Sequence, residues 1–449
     1  MGRILIIKVL MMLYILIASL GDKMSKFDIR HSKFSLFVLF TFSVLAANAT
    51  RILIPMDDAQ KNHLKAYGIA FWELKRDLDV DWLLNYRDGS FMLLFSEAAE
   101  KECRIRGVSY EVISEGQTTQ ILQEIAKPEV NMELVKLHKA PKIAVYSPKT
   151  KQPWDDAVTL VLTYAEIPYE TVFDDEVLEN KLPLYDWLHL HHEDFTGQYG
   201  KFYGSFSQAA WYQAEVREAE ATAAKHGYKK VSQLKLAVAK KIRDFTIGGG
   251  FLFAMCSATD SYDIALAADG VDICGSIYDG DAADPRSDDK LNFDNTFAFK
   301  DFKLIMDPYE YEYSYIDNTQ YTRAVNEPND VFALFEFSAK WDVIPTMLCQ
   351  NHTQVVKGFY GQTTGFRKQF IKSDVLIMGE NKQLGEARYI HGTTGKGTWT
   401  FYSGHDPEDY QHQVGEPPTD LALHPNSPGY RLILNNILFP SAKKKKMKT

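Results

Sequence analysis

The stretch Gly248-Gly-Gly-Phe-Leu-Phe-Ala-Met-Cys256-Ser-Ala-Thr-Asp260 constrains the fold more than any other part of the chain. Glycines turn the backbone, a short apolar run follows, and Ser-Ala-Thr-Asp opens a helix that continues from Ser261 to Ala268. A buried strand that runs directly into a helix implies an α/β architecture with a parallel sheet. The cysteine between them sits at a sharp turn, and Ala254 and Ala258 are small enough to let the turn close. Free N–H groups and the helix dipole favour a thiolate at this place. The pattern fits a nucleophile elbow, with Cys256 as candidate nucleophile. The backbone N–H of Ser257 is a candidate oxyanion donor, with a second from Gly197 in the loop 195–200.

A partner for the cysteine is found far downstream. Gly395 to Ser403 reads as a tight turn and a strand, which runs into Gly404-His405-Asp406-Pro407-Glu408. His405 is the candidate base, and Asp406 or Glu408 the candidate orienting carboxylate. His189, His191, His192, Glu193 and Asp194 end another strand, where open α/β sheets place their ligands, and are expected to line the cleft. His189 and His191 share a strand face and could hold one metal with Glu193 or Asp194. No fourth ligand is forced, so no metal and no cofactor is expected. The acids at Asp279, Asp281, Asp284, Asp288 and Asp289 lack the EF-hand pattern and read as a solvated loop.

Around these motifs the chain divides in order. Residues 1–49 form an extension and signal segment, and 50–140 an N-terminal β-α-β segment with a parallel sheet. Residues 141–275 form the first part of the core, 276–375 a β-rich aromatic insertion, 376–440 the second part, and 441–449 a basic tail. In the insertion Tyr309, Tyr311, Tyr313 and Tyr315 alternate with polar residues, which predicts a strand with one aromatic face.

On the elbow and the later histidine, the chain resembles the class I glutamine amidotransferase-like superfamily. The match covers roughly residues 142–275 and 376–440. That resemblance implies a flavodoxin-like parallel sheet flanked by helices and a Cys–His–acid triad. Here the family's G-x-C-x-G is Ala254-x-Cys256-x-Ala258, and its H-x-E is His405-x-x-Glu408. More narrowly, Asn62 to Gly68, Val80 to Arg87 and Asn426 to Asn436 resemble exported bacterial proteins that often carry the label asparagine synthetase B. The chemistry of that label is missing. Residue 2 is Gly, not a catalytic Cys, and no Ser-Gly-Gly-x-Asp-Ser loop for ATP occurs.

The net charge of −9 without a basic stripe argues against nucleic acid as a partner. Lys26, Arg30 and Lys33, the apolar run from Phe34 to Ala46 and Ala47-Asn48-Ala49 together read as a signal peptide. Met24 is the expected start, with Thr50 opening a periplasmic or secreted protein that meets the membrane only through this segment. Four cysteines have no spacing that selects a pairing. Two functions remain open. One is a Cys-dependent hydrolase acting on an amide or ester. The other is a non-catalytic protein that uses the same cleft for a small-molecule, peptide or glycan ligand.

Overall fold

The computed structural model describes residues 49–148, 155–317 and 323–442. The expected signal segment, the basic run Lys443–Lys446 and Pro153 (which in the sequence reads, with the following Asp155 and Asp156, as a helix start) lie outside them. Among the described residues no helix is long and apolar enough to cross a membrane.

The N-terminal unit differs from its expected parallel sheet. Strands β1 (Ala49–Ile54), β2 (Val80–Leu84), β3 (Ser90–Leu94), β4 (Glu111–Ser114) and β5 (Glu133–Leu137) take the order β4-β1-β3-β2-β5. Every neighbouring pair is antiparallel. Helix α1 (His63–Lys75) does return the chain parallel to β1, as a β-α-β unit should. The unforeseen hairpin strand β3 then slots between β1 and β2 and reverses both pairings. Helices α2 (Glu97–Arg106) and α3 (Glu115–Ile125) complete the unit, each started by a serine whose side chain accepts a backbone N–H.

The second sheet is mixed. Strands β6 (Ile143–Tyr146), β7 (Glu170–Val172), β8 (Trp187–Leu190), β9 (Phe251–Met255) and β15 (Gly397–Tyr402) form its parallel part. Their spatial order is β7-β6-β8-β9-β15. Helices α4 (Ala157–Tyr164), α5 (Asp174–Leu178), α6 (Ala210–Lys225), α7 (Val231–Gly248) and α8 (Ala258–Ala267) belong to this part. Beyond β15 the sheet turns antiparallel through β14 (Glu386–Thr394), β13 (Leu376–Asn381), β10 (Val331–Leu334) and β11 (Val355–Lys357). The sheet expected to be parallel throughout is therefore parallel in one half only. Among the described residues the insertion is poor in strands: besides β10 and β11 it adds only β12 (Phe366–Arg367). The aromatic run 309–315 forms no strand. Tyr313 is buried there, while Tyr309 and Tyr315 are exposed.

Both faces of the parallel part are covered, which is why its strands read as continuous apolar runs. Along β8, Trp187 joins one core and Leu188 and Leu190 the other. Along β9, Phe253 and Met255 join the first, and Leu252 and Ala254 the second. The first core is continuous with the N-terminal unit through α1, α4 and the last described helix, α9 (Pro428–Leu438). Inside α9, buried Arg431 donates to Tyr67 Oη and to the carbonyls of Met56 and Asp88.

Gly397 permits β15 to lie beside β9. A Cβ there would sit 2.0 Å from the Thr246 carbonyl oxygen and 2.4 Å from that of Gly250. Gly397→Ala is expected to destabilise the protein by about 3 kcal/mol. Gly248→Ala, whose Cβ would meet nothing within 4 Å, should be neutral or stabilising. Urea denaturation of the two variants checks this, and equal midpoints would refute the packing argument.

Candidate functional site

Three neighbouring parallel strands end at the same edge, and their ends carry the predicted residues. β8 delivers His191 to Asp194, β9 delivers Cys256 and Ser257, and β15 delivers His405. The loops are tied together: Cys256 N donates to Gly404 O (3.1 Å) and Ala258 N to His191 O (2.9 Å). The 361–364 loop closes over them, with Gly404 N donating to Thr363 O (2.7 Å) and His405 N to Tyr360 O (2.8 Å). Gly361 makes this approach possible, since a Cβ would stand 2.8 Å from Gly404 C and His405 N.

Cys256 has φ +48°, a left-handed backbone rarely taken by a residue with a side chain. Such a conformation costs roughly 1–3 kcal/mol and persists where the surroundings over-determine it. Its flanking Ala254 and Ala258 do not share the positive φ, so neither position requires a glycine. Backbone N–H groups of Gln362, Ser257 and Thr363 lie near the sulfur and favour its charged form. Even so, the expected thiolate does not form. Cys256 is 1% exposed, and burial pushes its thiol up to about 11, with the nearby Asp260 carboxyl adding to the rise. Desolvation outweighs the dipole and the three N–H groups. Asp260 opens α8 and is itself raised to about 8 by burial and by Asp317, while its Oδ1 accepts from Thr363 Oγ1 at 2.9 Å.

His405 turns its Nδ1 to His191 Nε2, at 2.6 Å. It belongs to a chain of rings. His189 Nδ1 lies 3.1 Å from Phe253 O, and its Nε2 lies 3.3 Å from His191 Nδ1. A carbonyl only accepts, so His189 Nδ1 is the donor and, in a neutral ring, its Nε2 accepts. Asp156 sits beneath this chain. Its Oδ1 caps α4, accepting from Val158 N (2.7 Å) and Thr159 N (2.9 Å). Its carboxylate lies 3.4 Å from His189 Nε2 and 3.5 Å from His191 Nδ1. Burial alone would raise Asp156, but His189 and His191 hold it well below the usual carboxylate range. The same pairing overcomes burial at His191 and raises it. His189 is lowered, burial winning there. His192 falls to about 3 through burial and the neighbouring His191. His405 is driven well below its ordinary value by burial and by the rings of His191, His192 and His412.

The two acids proposed to orient His405 have other work. Asp406 Oδ1 accepts from Glu408 N and its Oδ2 from Thr419 Oγ1, while Glu408 Oε2 lies 3.1 Å from His424 Nδ1. His412 packs against His405, with ring centroids 4.8 Å apart, and pairs with Asp155 and Asp409. Sequence reading missed Asp156, His412 and the N–H groups of Gln362 and Thr363. The acid pair Asp155-Asp156 was visible as a helix start, without any sign that it would face the histidines.

The expected cleft-lining residues divide. His192, Glu193, Asp194 and Gly197 line a cavity of about 60 Å³ beside α6 and α7. His189 and His191 lie behind it, fully buried. Gly197 has φ +86° and packs against the backbone of Ser232, where a Cβ would come within 2.7 Å. Glu193 accepts from His191 N at 2.9 Å, yet burial raises its carboxyl to about 8.

No protein-family model and no curated protein matches the chain. Among solved structures it is similar to a cytoplasmic protein, STM3548, from Salmonella typhimurium, at 9% identity and a TM-score of 0.32, covering 68% of this chain and 100% of that one. It is also similar to a second cytoplasmic protein, STM1381, from Salmonella typhimurium LT2, at 11% identity and a TM-score of 0.31, covering 67% of this chain and 100% of that one.

Two outcomes follow from the electrostatics. Unfolded Glu193 titrates near 4.5 and folded Glu193 near 8. The native state thus binds the extra proton between those values, and Glu193 lowers stability as pH rises from about 4.5 to about 8. Glu193→Gln keeps an acceptor for His191 N and should flatten the fall of Tm between pH 5 and 8, measured by circular dichroism. A slope unchanged from the parent would show that Glu193 is ionised in the folded protein. Secondly, burial raises all four thiols, at Cys103, Cys256, Cys274 and Cys349. Iodoacetamide at pH 8 should label none of them quickly in the native protein, and fast labelling of Cys256 would contradict its burial.

Proposed function

We propose that this is an exported protein with an amidotransferase-like core that hydrolyses an amide or ester at the carboxyl ends of β8, β9 and β15. The observation that carries this reading is the convergence there of a left-handed cysteine turn and a carboxylate–imidazole–imidazole chain, Asp156–His191–His405. The spatial order of the five parallel strands, numbered along the chain, is 2-1-3-4-5. This is the flavodoxin-type order and supports the same family reading.

In this reading His405 takes the Sγ proton of Cys256 as the sulfur attacks the carbonyl carbon. The proton then goes to the leaving amine or alcohol, and water hydrolyses the thioester. N–H groups of Ser257, Gln362 and Thr363 are the nearby donors for the developing oxyanion. The chain sets the state of His405. When His191 is an imidazolium, its Nε2–H donates to His405 Nδ1, and His405 Nε2 then carries the proton. When His191 is neutral at Nε2, His405 Nδ1 donates and its Nε2 carries the lone pair that accepts a proton. Activity should therefore rise with pH as His191 loses its proton, with a midpoint above the ordinary histidine value of 6.5. Asp156→Asn removes the charge that raises His191 and should shift that midpoint to lower pH.

The test is hydrolysis of nitrophenyl esters and anilides by the purified protein across pH 5–9. Loss of at least a hundredfold in both Cys256→Ala and His405→Ala is expected. Activity retained in Cys256→Ala removes the thiol from the mechanism. The burial of Cys256 favours a second reading, a non-catalytic protein that binds a small molecule, peptide or glycan. It gains if the parent hydrolyses nothing. Export is checked by N-terminal sequencing of the product made in a bacterial host, which should begin at Thr50. A product that keeps residues 34–46 would mean an anchored form.

A further inference from the structure

We infer that His191, His192 and His405 form a binding site for a divalent transition-metal ion of the zinc class. One ring nitrogen of each imidazole lies within 4.8 Å of those of the other two. The three come from two strand ends that flank β9, so the fold, not local sequence, brings them together. Ring centroids are 4.5 Å apart for His191 and His405, 5.2 Å for His191 and His192, and 5.6 Å for His192 and His405. Three imidazoles with one remaining position is the donor set of an open zinc site. Zinc suits it better than calcium or magnesium, which take oxygen ligands.

The surroundings are those of a held site. His191 is fixed at its backbone by Ala258 N on its carbonyl and by Glu193 on its N–H. Asp156 stands on the Nδ1 side of His191, so that Nε2 faces His405. A carboxylate behind a ligating histidine fixes its tautomer and raises its basicity. His405 is held from behind by the 360–364 loop. His191 and His405 are buried, while His192 is half-exposed and also lines the cavity beside Glu193 and Asp194. The remaining position of the ion is thus supplied from that cavity, by water or a ligand group.

The 2.6 Å between His191 Nε2 and His405 Nδ1 fits one shared proton. Two zinc ligands at a tetrahedral angle stand ~3.4 Å apart. Loading therefore replaces the shared proton and opens this pair by ~0.8 Å. The inference goes beyond the hydrolase reading and does not need Cys256. The two compete for one ring, because a metal on Nδ1 of neutral His405 leaves Nε2 protonated and unable to accept.

The full chain, stripped with EDTA and dialysed, is titrated with Zn2+ against a chromophoric chelator and with Co2+ by visible absorption. One equivalent per chain and the intense visible bands of four-coordinate Co2+ are expected. His192→Ala, His191→Ala and His405→Ala should each weaken binding at least tenfold, and Asp156→Asn by about ten- to a hundredfold. Far-ultraviolet circular dichroism and Tm confirm that each variant is folded. His412→Ala tests a second nearby donor set, Asp409, His412 and Glu416, and His189→Ala a third, Asp156, His189 and His191. No stoichiometric binding by the folded parent overturns the inference. So does binding that His412→Ala abolishes while His192→Ala leaves it intact. Neither readout uses hydrolysis, so a failed metal site and a failed hydrolase are told apart.

Discussion

The pairing of β15 with β9 is the contact on which the rest of the site depends. The chain leaves the parallel sheet at α8 and returns only at Gly397. Five register pairs, from Thr398 with Phe251 to Tyr402 with Met255, lay the returning strand beside the elbow strand. That register puts Gly404 against Cys256 and lets His405 reach past it to His191. The approach is closer than side chains allow, and glycines mark it: Gly397 at the start, Gly361 and Gly404 at the end. Shifting the strand by one residue would turn His405 to the other face.

The edge so assembled holds far more titratable groups than it can keep charged. Burial settles most of them as neutral: the thiol of Cys256, the carboxyls of Glu193 and Asp260, the rings of His192 and His405. One pair stays charged, Asp156 with His191, because each compensates the other and a helix N-terminus supports the carboxylate. Protonation is thus shared across a network, and a change at one member is felt as a change of tautomer two rings away.

Local pattern in the sequence carries the strand–cysteine–helix turn, the histidine-rich end of β8 and the strand before His405. Each is encoded within a dozen residues by turn chemistry and apolar runs. Features set by distant pairing were not legible. Nothing in Ser90–Leu94 announces that β3 will enter between β1 and β2. The run of tyrosines at 309–315 has strand periodicity, but it pairs only through the single bridge of Ser314 with Leu304 and is otherwise irregular. In the site, the residues missed were those that act through contacts across the fold, such as Asp156 beneath the histidines. The thiolate was misjudged for the same reason. A helix terminus is visible in sequence, whereas the 361–364 loop that buries it is not.

The last helix carries a consequence for the order of events in folding. Arg431 and Asn435 reach into the N-terminal unit at Met56, Tyr67 and Asp88. Leu64 and His63, which open α1, donate to Pro425 and Asn426. The core around residues 50–137 is therefore completed by residues 425–438, which are synthesised much later. Synthesis from the N-terminus yields a unit whose sheet can pair but whose inner face stays uncovered until residues 425–438 arrive. The N-terminal unit and the helix at residues 428–438 thus share one core, so neither buries its inner face without the other.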